Sequence, residues 1–354
     1  MEIDFFRGLA LIAIALDHIT TGILSHFTLH RYAFCDSAEV FVFISGYACA
    51  SSWLVNAPRS GQAAATRRFV RRSGVIYAAY LLTAVLMLLG GAFANFLHIE
   101  DSVGAQLAWM RFTENPVRTL ANIALFRDQP YLAGVLPMYV VLMLLVPAAV
   151  PLVRRSPGIA LSAAFGVWLV ASWIGQYLPD SSAGGWAFNP FAWQAMFMLG
   201  LLSRVHPPSH GFLVSAMGRT TTGLAIGVIL AIAFIRVFVE SEPTSGYLKQ
   251  NLATVRVVSF VALAWLGAWT VRAGWIRRAA MLMPGIVTIG QQSLVCFVGG
   301  ALTSVLVDCA LRLTHSNNSS LLRLAGDTSA ILTLLIIARV TQYWKSARTP
   351  IGIA

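Results

Sequence analysis

Residues 2–18 read EIDFFRGLALIAIALDH. The stretch is apolar enough to cross a membrane, yet it holds Glu2, Asp4, Arg7, Asp17 and His18. A helix advances about 100° per residue, so Arg7 and His18 return to nearly the same face about three turns apart. Asp4, Arg7, Leu11, Ile14 and His18 form one stripe. A charge in the bilayer core costs several kcal/mol, so such residues face a protein interior or a wet cavity. The plain alternative is an Asp4–Arg7 pair at the inner interface, with His18 reaching the outer one.

The whole chain shares this character. Its 354 residues are 57% hydrophobic and 11% charged, less than half the charged share of soluble domains. Mean hydropathy is +0.72. These values imply an all-α, polytopic integral membrane protein, one domain over residues 1–354, with the lipid bilayer as its first partner. The net charge of +11 invites a nucleic-acid reading. The basic residues, however, sit in short loops between apolar spans, without interleaved aromatics, so no nucleic acid is expected. The first apolar stretch lacks a basic leader and a cleavage site, and is expected to stay as a membrane helix. Cys35, Cys49, Cys296 and Cys309 lack metal-ligand spacing, and no metal is expected. Cys35 and Cys309 both fall on the outer side, where pairing is allowed and stays open.

Ten spans of about 20 apolar residues or slightly fewer are predicted: 5–24, 38–56, 74–97, 131–153, 158–178, 189–204, 219–239, 254–273, 284–307 and 327–344. Loops after even-numbered spans carry Arg59, Arg67, Arg68, Arg71 and Arg72, then Arg154 and Arg155, Arg204 and Arg219, Arg272, Arg277 and Arg278, and Lys345 and Arg348. Loops after odd-numbered spans hold most of the acids, including Asp36, Glu100, Asp101, Glu114, Asp128, Asp180, Glu240, Glu242 and Asp308. The positive-inside rule then puts both termini in the cytoplasm. The outer segment 98–130 has apolar residues at helical spacing among Arg111, Arg118 and Arg127. That pattern predicts one or two amphipathic surface helices.

Asp36 and Glu39 open span two as D-x-x-E. The spacing is that of a capping box, and the loop is short enough to hold both acids near His18. Histidine beside a carboxylate suits general-base work, because its pKa lies near neutrality and the carboxylate orients the ring. Asp17 points about 100° away on the same helix. Asp36 or Glu39, returning from the next span, is the preferred orienter. RRFVRR at 67–72 reads either as a lipid anchor or as a phosphate clamp. Ser45, Gly46, Ala48, Ala50 and Ser51 allow close helix approach and permit a homodimer.

Asn189 and Pro190 suit a helix start, which sets Trp193 and Gln194 near the outer interface. Trp193 is either part of an aromatic belt or a sugar-stacking platform, with Gln194 as hydrogen-bonding partner. Arg236 and Arg256 lie at outer ends, placed to bind an anion or to pair with Glu240 and Glu242. Gln291, Gln292 and Ser293 suggest interhelical hydrogen bonds or a lined cavity in span nine. No Walker, Rossmann or metal motif and no internal repeat is present.

Taken together, EIDFFRG (2–8), the Arg7–His18 spacing, AEVFVFISGY (38–47), RRFVRRSGVIY (67–77), LPMY (136–139) and NPFAWQAMFMLG (189–200) resemble the OpgC family. That family belongs to the acyltransferase 3 superfamily of membrane sugar acyltransferases. The resemblance implies a ten-helix enzyme of the bacterial cytoplasmic membrane. It would move an acyl group, succinyl in OpgC-type proteins, from cytoplasmic acyl-CoA to a hydroxyl of a periplasmic glucan or other envelope glycan. Succinyl-CoA would be a donor substrate, and no bound cofactor is implied. By position, Arg7 and His18 match the superfamily's essential pair, with His18 as base. Arg68 and Arg71 match its cytoplasmic R-x-x-R motif, a contact for acyl-CoA. Arg7 to His18 spans about 16 Å of helix, a reach that suits a pantetheine arm. Direct attack by the acceptor and an acyl-His18 intermediate both fit. From the residues alone, the other reading is a transporter or flippase of a glycan or small anionic solute, its pathway lined by Arg7, His18 and the acids.

Overall fold

The computed structural model describes residues 1–99, 105–181, 185–240, 246–314 and 319–348. Glu100, Asp101 and Glu242 lie outside the described residues. In a bilayer every backbone polar group must be satisfied internally, which favours helices. Helices account for the fold, and no strand occurs among the described residues. The main ones are α1 (Glu2–Asp17), α2 (Ser37–Ser60), α3 (Gln62–Phe96), α4 (Ala105–Glu114), α5 (Pro116–Ala124), α6 (Val135–Arg155) and α7 (Pro157–Leu169). They continue with α8 (Pro190–Val205), α9 (Ala216–Phe238), α10 (Thr254–Arg272), α11 (Trp275–Leu282), α12 (Pro284–Gln291), α13 (Ser293–Leu313) and α14 (Ser320–Arg348).

Seven helices are long and apolar enough to cross a membrane: α2, α3, α6 with its leading turn Tyr131–Gly134, α9, α10, α13 and α14. The chain is a polytopic, all-α membrane protein. The expected spans 5–24, 158–178 and 189–204 fall on shorter helices, α1, α7 and α8. Segment 98–130 contains the two short helices α4 and α5.

Three of the expected spans are interrupted, and the first of the breaks has a visible cause. The helix carrying Arg7 and His18 stops at Asp17 rather than running to residue 24. Beyond it, Asp308 of α13 accepts from the hydroxyls of Thr20 and Thr21 and from the Thr21 N–H. Asp327 of α14 accepts from the N–H groups of Ile23 and Leu24 at 2.7 and 2.8 Å. Two buried carboxylates thus take donors that a longer helix would have used internally. Span nine breaks at Gln292, between α12 and α13, where Lys345 donates to the Gln292 side-chain oxygen at 2.6 Å. Span five breaks at Val170.

The core forms where α1 packs on α12, α2 and α13, α8 packs on α2, and α3 packs on α6. Two of these contacts bring backbones together through reciprocal glycines. A Cβ at Gly8 of α1 would strike the Ile286 carbonyl, and one at Gly290 would strike the Asp4 carbonyl. Likewise, a Cβ at Gly46 of α2 would strike the Phe197 carbonyl, and one at Gly200 of α8 would strike the Phe43 carbonyl. At Gly46 the small-residue stripe of α2 therefore packs within this chain. Helices α9 and α10 form a peripheral hairpin. The four cysteines are free thiols, and Cys35 and Cys309 lie in separate parts of the core.

A buried ionic cluster ties that hairpin to the core. Asp36 and Glu39 form the expected capping box at the start of α2. Their remaining oxygens meet cations from far along the chain. Arg256 of α10 donates to Glu39 at 2.6 Å and to Asp36 at 3.1 Å. Lys249 reaches Asp36 at 2.7 Å. Burial alone would raise the Asp36 carboxyl, but Lys249 and Arg256 overcome it and hold it well below the usual carboxylate range. The stability it contributes is complete above its unfolded pKa and is lost only as pH falls through the lower folded value. Arg236 is also fully buried, and it donates to the backbone carbonyls of Glu240 and His30 at 2.9 Å each.

Breaking a buried ion pair from one side leaves an uncompensated charge and costs about 3–5 kcal/mol. Arg256→Met is therefore expected to lower unfolding stability in detergent by that amount. The double variant Arg256→Met with Glu39→Met should recover part of the loss. Thermal or denaturant unfolding of the three proteins checks this; a single variant as stable as the wild type contradicts it.

Candidate active site

The stripe on α1 faces two cavities set one above the other. The first, about 490 Å³, is lined by Ile14, Asp17, His18, His30, Asp36 and Lys249 among others. The second, about 450 Å³, is lined by Arg7, Ser45, Arg68, Arg71, Arg72 and Tyr139 among others. They are called here the histidine cavity and the basic cavity.

His18 is the first residue past α1, and its Nδ1 lies 2.6 Å from the Ile14 carbonyl. A carbonyl can only accept, so Nδ1 carries the proton and donates it. In the neutral ring this leaves Nε2 unprotonated, the form a base requires. The ring stands edge-on to Tyr131, with centroids 5.7 Å apart. The orienting group is therefore a backbone carbonyl. The expectation that Asp36 or Glu39 would orient His18 does not hold in this geometry, because both acids are committed to the capping box and to Arg256. Asp36 still lines the histidine cavity, whereas Glu39 is fully buried behind it.

The same cavity holds a second imidazole. Nδ1 of His30 lies 3.0 Å from the Asp17 carboxylate and 2.8 Å from the Thr28 hydroxyl. Thr28 in turn donates to Asp17 at 2.5 Å. Asp17 thus points away from His18, as its helical angle implies, and serves His30.

The basic cavity gathers four guanidinium groups. Arg7 pairs with Asp4 at 3.3 Å, and Arg68 donates to the Asn56 side chain at 3.1 Å. Among the described residues, no ion pair is made by Arg68, Arg71 or Arg72. Positive charge gathered in a cleft without matching carboxylates suits an anion, and planar guanidiniums suit phosphate oxygens. Phe41, Val135, Tyr139 and Phe297 line both cavities and form the wall between them.

Trp193 and Gln194 are not at an open surface. Trp193 is fully buried, and its indole N–H donates to the backbone carbonyls of Lys249 and Gln250 at 3.1 Å. Gln194 donates to the Ala164 carbonyl at 2.6 Å. Neither lines the histidine cavity. Trp193 presents no free face for a sugar; instead it anchors the turn that carries Lys249. His30, Lys249 and Tyr139 line the cavities although reading the sequence did not single them out, and Arg72 joins Arg68 and Arg71 from the clamp motif. Arg72 and Tyr139 lay inside the motifs RRFVRR and LPMY. His30 and Lys249 lie in one-turn helices, Leu29–Tyr32 and Tyr247–Gln250, with no motif to mark them.

No curated protein and no solved structure matches the chain. A family model described as OpgC protein matches residues 1–346, and the chain therefore belongs to the OpgC family.

Proposed function

We propose that this protein is a membrane O-acyltransferase that modifies a glucan, a reading that membership of the OpgC family suggests. The observation that carries it is the pair of cavities sharing one wall, with arginines in one and, in the other, an imidazole whose Nδ1 is tied to a backbone carbonyl. In this reading both termini lie in the cytoplasm of a bacterial cell, and the basic cavity faces inward. Arg68, Arg71 and Arg72 hold the phosphates of acyl-CoA, with succinyl-CoA as the donor implied by the motif resemblance. The pantetheine arm runs along α1 toward the shared wall. A hydroxyl of a periplasmic glucan enters the histidine cavity. His18 takes its proton at Nε2, the alkoxide oxygen attacks the thioester carbon, and the C–S bond breaks. The departing thiolate takes the proton back from His18. Ile14 keeps the ring in the required tautomer throughout.

General-base catalysis contributes about 10²–10⁴-fold. His18→Ala should lower kcat by that factor and leave the KM for acyl-CoA within about threefold. The measurement is glucan acylation by mass spectrometry, using reconstituted protein with succinyl-CoA. Passage of unmodified glucan with no acyl mass gained would overturn the enzyme reading in favour of transport. Acyl groups accumulating on His18 without acceptor would overturn direct transfer.

A charge-assisted hydrogen bond contributes about 1.5–3 kcal/mol, and about 1.4 kcal/mol is tenfold in affinity. Arg68→Ala and Arg71→Ala should each raise the KM for acyl-CoA about 10–100-fold, with a smaller effect on kcat. Steady-state kinetics over a range of acyl-CoA concentrations checks this. Unchanged KM in both variants removes these arginines from the donor site.

A further inference from the structure

The wall between the two cavities contains one polar side chain. Phe41, Val135 and Phe297 are apolar, whereas Tyr139 brings a phenol. Tyr139 is only 5% exposed, and its hydroxyl makes no hydrogen bond. Ser45 lines the same cavity and donates its hydroxyl to the Phe41 carbonyl at 2.7 Å; its oxygen lies beside the phenol but forms no hydrogen bond to it in this geometry. The contrast with Tyr80 is direct. That phenol is also fully buried, and it reaches the carbonyls of Ile123 and Asp128 at 2.9 and 2.8 Å. A buried tyrosine hydroxyl normally finds a partner, since leaving it unpaired forfeits the bonds it made to water. The Tyr139 ring is braced edge-on by Phe41, with centroids 5.9 Å apart. An oriented donor without an acceptor therefore stands where one cavity gives way to the other.

We propose that Tyr139 is a catalytic residue, whose phenol donates a hydrogen bond to the acyl carbonyl oxygen as negative charge builds there. The inference rests on the acyltransferase reading and adds the group that stabilises its transition state. A donor anchored by arginines in the basic cavity must present its thioester at this wall for a hydroxyl beside His18 to reach it. As the acceptor oxygen bonds to the carbonyl carbon, the carbonyl π electrons move onto its oxygen. The acceptor proton passes to His18. When the electrons return, the C–S bond breaks and the thiolate leaves, taking the proton from His18. Tyr139 keeps its own proton at every stage and is ready for the next turnover. A preorganised donor polarises the bound carbonyl and strengthens as charge develops on its oxygen, so it contributes mainly to kcat and little to ground-state affinity.

The test is Tyr139→Phe, which deletes only the oxygen. Loss of one donor of this kind costs about 10²–10³-fold in kcat. The expected result is a fall of that order in glucan acylation from succinyl-CoA, with the KM for succinyl-CoA within threefold. The unfolding temperature should be unchanged or higher, because the oxygen removed had no partner to lose. Activity within threefold of wild type overturns the inference, as does a loss of activity that comes with a matching loss of stability. A spectroscopic arm separates this inference from the reading beneath it. In the His18→Ala background the thioester persists, and the carbonyl stretch of bound ¹³C-labelled succinyl-CoA should lie at lower frequency with Tyr139 than with Phe at that position. Binding with no such difference overturns the role of Tyr139 while leaving the acyltransferase reading intact. A wild-type protein that neither binds nor uses acyl-CoA overturns both.

Discussion

A guanidinium inside a membrane protein needs water or partners, because its desolvation is costly. The fold meets that demand differently for each arginine. Arg256 takes two carboxylates, Arg236 takes two backbone carbonyls, and Arg111 grips Asp128 with two bonds of 2.9 and 3.0 Å. Arg312 pairs with Asp308, and Arg323 donates to the carbonyls of Thr21 and Gly22. These arginines serve as internal ties. They fix the loop after α1, the start of α2 and the peripheral hairpin of α9 and α10. Arg68, Arg71 and Arg72 are treated otherwise. They line open volume and form no ion pair among the described residues. The contrast separates arginines that hold the fold from arginines that can hold a ligand.

The same demand explains the geometry around His18. Asp308 and Asp327 draw the chain off its helical path after Asp17 and leave His18 at the helix end. There the ring bends back to the carbonyl of Ile14, one turn earlier. The acids that end the helix come from α13 and α14, some 300 residues away along the chain.

That separation marks what could be read from sequence. The helices follow from hydropathy, since an apolar run in lipid has little choice but to coil. The Arg7–His18 stripe and the D-x-x-E cap also follow, because they depend on spacing within one element. The end of α1 does not, because its causes are Asp308 and Asp327. Asp36 and Glu39 were legible as a cap and illegible as partners of Lys249 and Arg256. Trp193 illustrates the opposite error. Its place near a helix start suggested an interface, but its indole turns inward to the carbonyls of residues 249 and 250. His30 escaped notice because its carboxylate partner sits on a different element.

The two cavities are built from different materials. Every residue lining the basic cavity belongs to α1, α2, α3, α6 or α13, the packed helices of the core. The histidine cavity draws part of its lining from outside the long helices, at residues 186–188 and 246–250. Loops tolerate replacement far better than a packed helical interface does. Under the assignment proposed here, evolution could retune the acceptor by rewriting two short segments and leave the bundle untouched. A new donor would require four or five helices to change in concert. Diversification within such an architecture should therefore run along the sugar, with the activated acyl carrier as the inherited part.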